Sequence, residues 1–157
     1  MFDNLILNRV RRYIRIKTQN YKIIPLGQYC LPRVASTLSG LKPPKNSGEL
    51  TCPFDLAFFD DIDSISFLLE NEFETFFDDI NFDPEKKYYI SKNLHIRFNH
   101  DGKLSLHEFR ERYEKRIVNF YKYVALKRKV VFIHATSFAL KEASVFRLYN
   151  VLCKIRG

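Results

Sequence analysis

The sequence predicts an α/β protein, an open layered fold in which a small, mostly parallel sheet is flanked by helices. Three observations carry this. Two apolar runs, "YKIIPLG" at 21–27 and "KVVFIHATS" at 129–137, have the continuous character of strands rather than helical spacing. Each is followed at once by a helical pattern, and two further helical patterns lie between them. With 157 residues, 46% of them hydrophobic, the chain can bury one sizeable core. The expected organisation is therefore a basic N-terminal helix over residues 1–20 and a single α/β domain over 21–157. Only one helix follows the best strand, so the sheet should be thin, and the domain is read as C-terminally shortened or completed by a partner.

The N-terminus "MFDNLILNRVRRYIRIKTQNY" starts apolar, with Phe2, Leu5, Ile6 and Leu7. It turns basic through Arg9, Arg11, Arg12, Arg15 and Lys17. It lacks the small-residue cleavage site of a signal peptide, and no apolar run approaches the roughly 18 residues that a spanning helix needs. A solvated helix packed on its own domain is the preferred reading. Peripheral contact with an anionic membrane is the secondary one.

"YKIIPLG" is a short strand interrupted by Pro25 and Gly27, and "LPRVASTLSG" is a helix closed by Gly40. Cys30 falls at the junction of the two. "LKPPKNSGE" is a loop by its prolines, asparagine and glycine. "CPFDLAFFDD" follows as an aromatic segment that Pro53 keeps from starting as a helix. From about Ser64, the residues Phe67, Leu68, Phe73, Phe76 and Phe77 recur at helical intervals with acids between them, predicting an amphipathic helix.

"NFDPEKKYYISKNLHIRF" reads as extended or hairpin structure through Tyr88, Tyr89, Ile90, Ile96 and Phe98, with "NHDG" as a turn. Ser105 and Glu108 then make a capping box. Leu106, Phe109, Tyr113, Ile117, Phe120 and Val124 step by three or four, so a long helix with one buried face is expected. Glu108 with Arg112, and Glu111 with Lys115, would support its outer face. "KVVFIHATS" should be a fully buried parallel strand, with Ser137 capping a final helix through Ile155.

The net charge of +8 conceals three blocks: a basic start, twelve acids and no base over 47–85, and a basic end. Such blocks can satisfy one another on folding, and no recognition motif accompanies them. A nucleic-acid partner is not expected. Three cysteines, Cys30, Cys52 and Cys153, lack both disulfide parity and metal-ligand spacing, so reduced thiols in a cytoplasmic protein fit best. "DDIDSISFLLE" begins like a calcium loop at Asp61 and Asp63, but Ile65 stands at the next ligand position and the turn glycine is missing. No metal and no cofactor is implied.

A thiol at a helix N-terminus faces unpaired backbone N–H groups and the positive end of the helix dipole, both of which favour thiolate. That makes Cys30 a candidate nucleophile, beside the plain alternative of a small buried core residue. Four histidines could serve as its base. His107 lies inside the capping box of a surface helix, and His95 has no carboxylate beside it in sequence. His100 precedes Asp101 and Gly102 in a polar turn, which could expose the imidazole and set its tautomer. His134 ends the apolar strand, at the edge where open α/β sheets bind ligands. Spacing leaves both open.

Taken together, "IIPLGQYCLPRVASTL", "CPFDLAFF", "LLENEFETFF", "FNHD" and "YEKRIVNFYKYVALKRKVVFIH" resemble, in the same order, a family of mostly bacterial proteins described as "putative papain-like cysteine peptidases". The likeness runs from about Lys22 to His134. It implies Cys30 as nucleophile, His100 as base with Asp101 beside it, and Asp55 as a further residue orienting the base or shaping the site. Arg116 matches a basic position of the family's helix. Gly27 and Gln28 belong to its Leu-Gly-x-x-Cys turn, and with His134 and Arg116 they are expected on the substrate-binding side. Leu56 stands where the family usually has tryptophan, and Lys115 replaces the first of two common arginines.

The resulting expectation is a cysteine-dependent hydrolase acting on a peptide or other acyl substrate. An acyltransferase using the same cysteine and histidine in surface-polysaccharide modification is one alternative. A non-catalytic binding module, whose basic helices contact an anionic partner, is another.

Overall fold

The structure is a computed structural model describing residues 2–157, with side-chain surroundings from residue 7 onward. Phe2, Leu5 and Ile6 of the apolar start therefore lie outside the described side chains. In chain order the elements are α1 (Phe2–Thr18), β1 (Tyr21–Gly27), α2 (Leu31–Leu38), β2 (Phe58–Phe59), α3 (Ile62–Glu70), β3 (Ile80–Asp83), β4 (Tyr88–Ser91), β5 (Ile96–Phe98), α4 (Leu106–Val124), β6 (Lys129–Ala135) and α5 (Glu142–Arg156).

The α/β class holds, with a small parallel sheet as expected and, beside it, a separate antiparallel sheet. β1 and β6 pair in parallel, Tyr21 opposite Lys129 through Gly27 opposite Ala135. The other four strands form an antiparallel sheet in the order β2-β5-β4-β3. Chain length between strands explains the split. The short connections between β3, β4 and β5 can only join antiparallel neighbours, whereas the hundred-odd residues from β1 to β6 allow a parallel crossover.

Both apolar runs are strands, as their sequences predict, yet their burial differs. Ile23 to Gly27 are all buried, while β6 has no fully buried residue and leaves Val131 exposed. The expected full burial of β6 is corrected by topology. β1 is covered by the chain that packs on it, with Lys42 at the Ile23 carbonyl and the Phe54 and Ala57 carbonyls against Gly27, whereas among the described residues no strand pairs with the other edge of β6.

The acidic amphipathic segment forms a helix two residues earlier than its periodicity suggests, because Asp61 caps it by accepting from the Ser64 amide at 2.6 Å. The helix stops at Glu70 instead of running to Phe77. Glu72 and Phe73 take left-handed backbone angles (φ 50° and 63°), turning the chain so that Phe73 and Phe76 still enter the core. The capping box is present as predicted: Glu108 accepts from the Ser105 amide at 2.8 Å, and Ser105 Oγ accepts from the Glu108 amide at 3.3 Å. α4 then lays Phe109, Tyr113, Phe120 and Val124 into the core. Arg112 turns to Asp101 instead of Glu108. Ser137 does not cap α5, which begins at Glu142 after Lys141; its hydroxyl lies 3.0 Å from that of Tyr29.

An aromatic cluster ties the layers together. Phe54 contacts Phe59, Phe73 and Phe120, and the Phe76, Phe98, Phe109 and Tyr113 rings pack at centroid separations of 4.6 to 5.9 Å. A buried ionic knot reinforces the packing beside β1. Lys42, only 1% exposed, donates to the Ile23 carbonyl at 2.9 Å and pairs with Glu49 at 2.9 Å, while Lys22 reaches the other Glu49 oxygen at 2.7 Å. α1 lies against the end of α2, where Arg11 Nε donates to the Leu38 carbonyl at 2.6 Å. Gly40, at φ +82°, allows that approach, since a side chain there would meet the Arg11 backbone.

Candidate active site

The C-terminal ends of β1 and β6 lie side by side, and these ends with the turn after β1 carry Gly27, Gln28, Cys30 and His134. β1 ends at Gly27, packed so closely that an added Cβ would sit 2.5 Å from the Tyr29 carbonyl oxygen and 3.0 Å from that of Phe54. The tight turn at Gly27 places Cys30 at the N-cap of α2, half-buried. The thiol makes no capping hydrogen bond, so it does not stand in for the usual cap oxygen. Pro32 follows within the first turn, where its missing N–H costs nothing.

His134 faces Leu26 across the parallel pair. Its Nδ1 lies 2.7 Å from the Leu26 carbonyl oxygen, which fixes the hydrogen on Nδ1. Nε2 is left as a buried lone pair with no hydrogen-bond partner among the described residues. Burial pushes the imidazole pKa down, against the smaller opposing pull of the Leu26 carbonyl, so the ring is neutral near pH 7. Two clefts meet at this ring. One of about 200 Å³ is lined by Gln28, Asp60, Thr136 and Ser144 as well as His134. The other, about 540 Å³ and mostly apolar, is lined by Leu26, Phe132, Leu148 and Leu152.

Gln28 is 5% exposed; its Nε2 donates to the Asp60 carbonyl at 3.4 Å, and its Oε1 has no partner among the described residues. Tyr29 extends the same edge, stacking edge-on to Phe58 at 4.6 Å. A third cleft, about 310 Å³, opens here between Gln28, Tyr29, Asp60, Arg97 and Phe138.

His100 lies elsewhere, exposed in the turn after β5. Asp101 is buried, with its oxygens turned inward to Arg112 Nη1 at 2.6 Å and the Tyr113 hydroxyl at 2.8 Å, and with Arg116 Nη1 at 3.6 Å. Among the described residues, no hydrogen bond joins Asp101 or Asp55 to a histidine, or Cys30 to any histidine. The pairing of His100 with Asp101 in sequence thus does not become a hydrogen bond in space. The carboxylate instead anchors α4. Arg116 is inside too, over the Tyr113 ring at 4.5 Å. His107 is a surface residue 3.5 Å from Glu111.

Asp55 is fully buried. It accepts from the Cys52 amide at 3.2 Å and pairs with Arg33 Nη1 at 3.5 Å. Burial raises its carboxyl pKa to about 6, outweighing the lowering effects of Arg33, the Cys52 amide and Arg116. Cys52 is buried beside it, and desolvation together with the Asp55 and Glu49 charges pushes its thiol far up, leaving it protonated and inert. Arg33 is the residue that sequence reasoning missed. Its signal was available: a buried acid in an aromatic segment needs a cation, and Arg33 stands one helical turn from Cys30.

Among the described residues no cluster of three metal-ligating side chains occurs, and no helix is long and apolar enough to cross a membrane. The model of one protein family, "Putative papain-like cysteine peptidase (DUF1796)", matches residues 21–156. No curated protein and no solved structure matches the chain significantly.

Proposed function

The chain belongs to that putative papain-like cysteine peptidase family, and from this premise we propose that it is a thiol-dependent acyl hydrolase with Cys30 as nucleophile and His134 as base. The observation that carries the choice of base is the His134 ring, whose Nδ1–H is held by a backbone carbonyl, whose buried Nε2 has no hydrogen-bond partner among the described residues, and whose side chain lines the clefts at the strand ends. A neutral imidazole in that tautomer is a proton acceptor ready for use. His100, the base implied by resemblance, is solvent-exposed and has no orienting carboxylate.

The Cys30 thiol transfers its proton to Nε2, and the sulfur attacks the acyl carbon to form a C–S bond. The leaving group departs with the proton returned from Nε2, and water then hydrolyses the thioester. Backbone N–H groups at the start of α2 are the oxyanion donors nearest the sulfur. Peptide, isopeptide and ester substrates all fit this step. Passage of the acyl group to a sugar hydroxyl instead of water would use the same residues.

The test is hydrolysis of an activated p-nitrophenyl ester by the wild type and by the Cys30→Ala, His134→Ala and His100→Ala variants. Cys30→Ala and His134→Ala should each lose activity by roughly 100-fold or more, with His100→Ala near wild type. Loss on His100→Ala with His134→Ala unaffected would transfer the base to His100. Full activity in Cys30→Ala would remove the thiol mechanism.

A further inference from the structure

A helix that serves only its own core turns its apolar side chains inward. α1 does largely the reverse. Between residues 7 and 18, only Arg11, Ile14 and Thr18 are half-buried, on the narrow face by which Arg11 meets the Leu38 carbonyl and Gly40. Tyr13 is 61% and Ile16 55% exposed, and Leu7 and Val10 are exposed as well. The adjoining helix repeats the pattern. Leu38, at the contact with α1, is exposed, and so are Leu31 and Val34, which share its face of α2.

The charge around these apolar groups has one sign. Residues 4–48 hold nine bases and no acid. Lys22 and Lys42 are taken up by Glu49, and Arg33 by Asp55. Arg9, Arg12, Arg15 and Lys17 are exposed and form no ion pair among the described residues. They alternate along the helix with Val10, Tyr13 and Ile16, and the Lys17 ammonium lies 5.6 Å from the centre of the Tyr13 ring.

That mixture selects among occupants. A second copy of the chain would set uncompensated bases against each other, and a dissolved polyanion would leave the apolar side chains in water. An anionic bilayer meets both demands, with charged headgroups for the bases and the acyl boundary for the apolar groups. We propose that α1, with the adjoining exposed face of α2, docks the protein on the surface of a membrane leaflet rich in anionic phospholipid. Val10, Tyr13 and Ile16 enter the headgroup boundary, while Arg9, Arg12, Arg15 and Lys17 pair with lipid phosphates and carboxylates. α1 precedes the residues matched by the family model, and the docking does not depend on the reading of Cys30 as nucleophile.

The experiment is flotation of the full chain with vesicles of phosphatidylcholine containing about 30% phosphatidylserine, and with vesicles of phosphatidylcholine alone, at about 0.1 M salt. Wild type should bind the anionic vesicles at least about tenfold more tightly. Arg12→Gln with Arg15→Gln should weaken that binding by roughly 30-fold, about fivefold for each base. Arg12→Lys with Arg15→Lys, which keeps the charge, should stay within about threefold of wild type. Tyr13→Ser with Ile16→Ser leaves the net charge alone and should weaken binding by about tenfold or more. All four side chains are exposed, so each variant should unfold thermally at the wild-type midpoint.

Equal binding to both kinds of vesicle, no binding to the anionic ones, or wild-type affinity in the Tyr13 and Ile16 variant overturns the proposal. A dimer in sedimentation velocity that these substitutions dissociate would assign the surface to a second copy instead. Binding to a duplex DNA probe, with anionic vesicles ignored, would assign it to a dissolved polyanion, and either result overturns membrane docking.

Discussion

Asp55→Asn should change how stability depends on pH. In the folded chain the Asp55 carboxyl titrates near 6, against an ordinary 3.8, because burial outweighs Arg33. Below pH 3.8 the group is protonated both folded and unfolded and contributes nothing. Between about 4 and 6 the folded state holds a proton that the unfolded state has lost, so stability falls as pH rises. Above 6 the penalty is complete. At 1.36 kcal/mol per pH unit, a shift from 3.8 to about 6 corresponds to roughly 3 kcal/mol.

Asparagine has nearly the same shape and no titration, so the difference between variant and wild type isolates this group. The loss of a partner for Arg33 adds an offset with little pH dependence, since arginine keeps its charge throughout. Urea unfolding of both proteins from pH 4 to pH 7 should show the stability difference moving by about 2 kcal/mol in favour of the variant, the first part of the change lying below pH 4. A difference that stays level within about 0.5 kcal/mol, or moves the opposite way, would refute the burial argument for Asp55.

Other perturbations test other parts of the structure. Lys42→Ala removes a buried partner of Glu49 and should cost about 3–5 kcal/mol in urea unfolding, since it leaves a buried carboxylate with Lys22 alone. Gly27→Ala puts a methyl against two backbone oxygens and should cost more than about 2 kcal/mol while displacing Cys30, read as loss of thiol-dependent esterase activity in whatever protein still folds. Tyr113→Phe removes the hydroxyl that donates to buried Asp101 and should cost about 1–3 kcal/mol by thermal unfolding, with esterase activity kept.

Local signals in the chain were sufficient for several features. Capping chemistry identified α4 from Ser105 and Glu108, apolar runs identified β1 and β6, and the strand-to-helix junction placed Cys30 at an N-terminus of a helix. These depend on interactions spanning a few residues, which sequence spacing records directly. The end of α3 was not legible, because the left-handed turn at Glu72 and Phe73 is held by packing that the periodic pattern of phenylalanines does not distinguish from a continued helix.

The site divides along the same line. Sequence by itself determined the identity of the family motifs, the cysteine at its turn, and the candidate histidines. Tertiary structure alone decided that Asp101 turns inward to Arg112 and Tyr113, that Asp55 meets Arg33, and that His134 holds its Nδ1 on the Leu26 carbonyl. His100 and Asp101 are neighbours in sequence, yet successive side chains point to different sides of the chain, so adjacency separates them. Leu26 and His134 are 108 residues apart, yet parallel pairing puts them opposite each other. The physical reason is that a side chain's partners are set by which elements pack together, a non-local choice made by burial of the aromatic core.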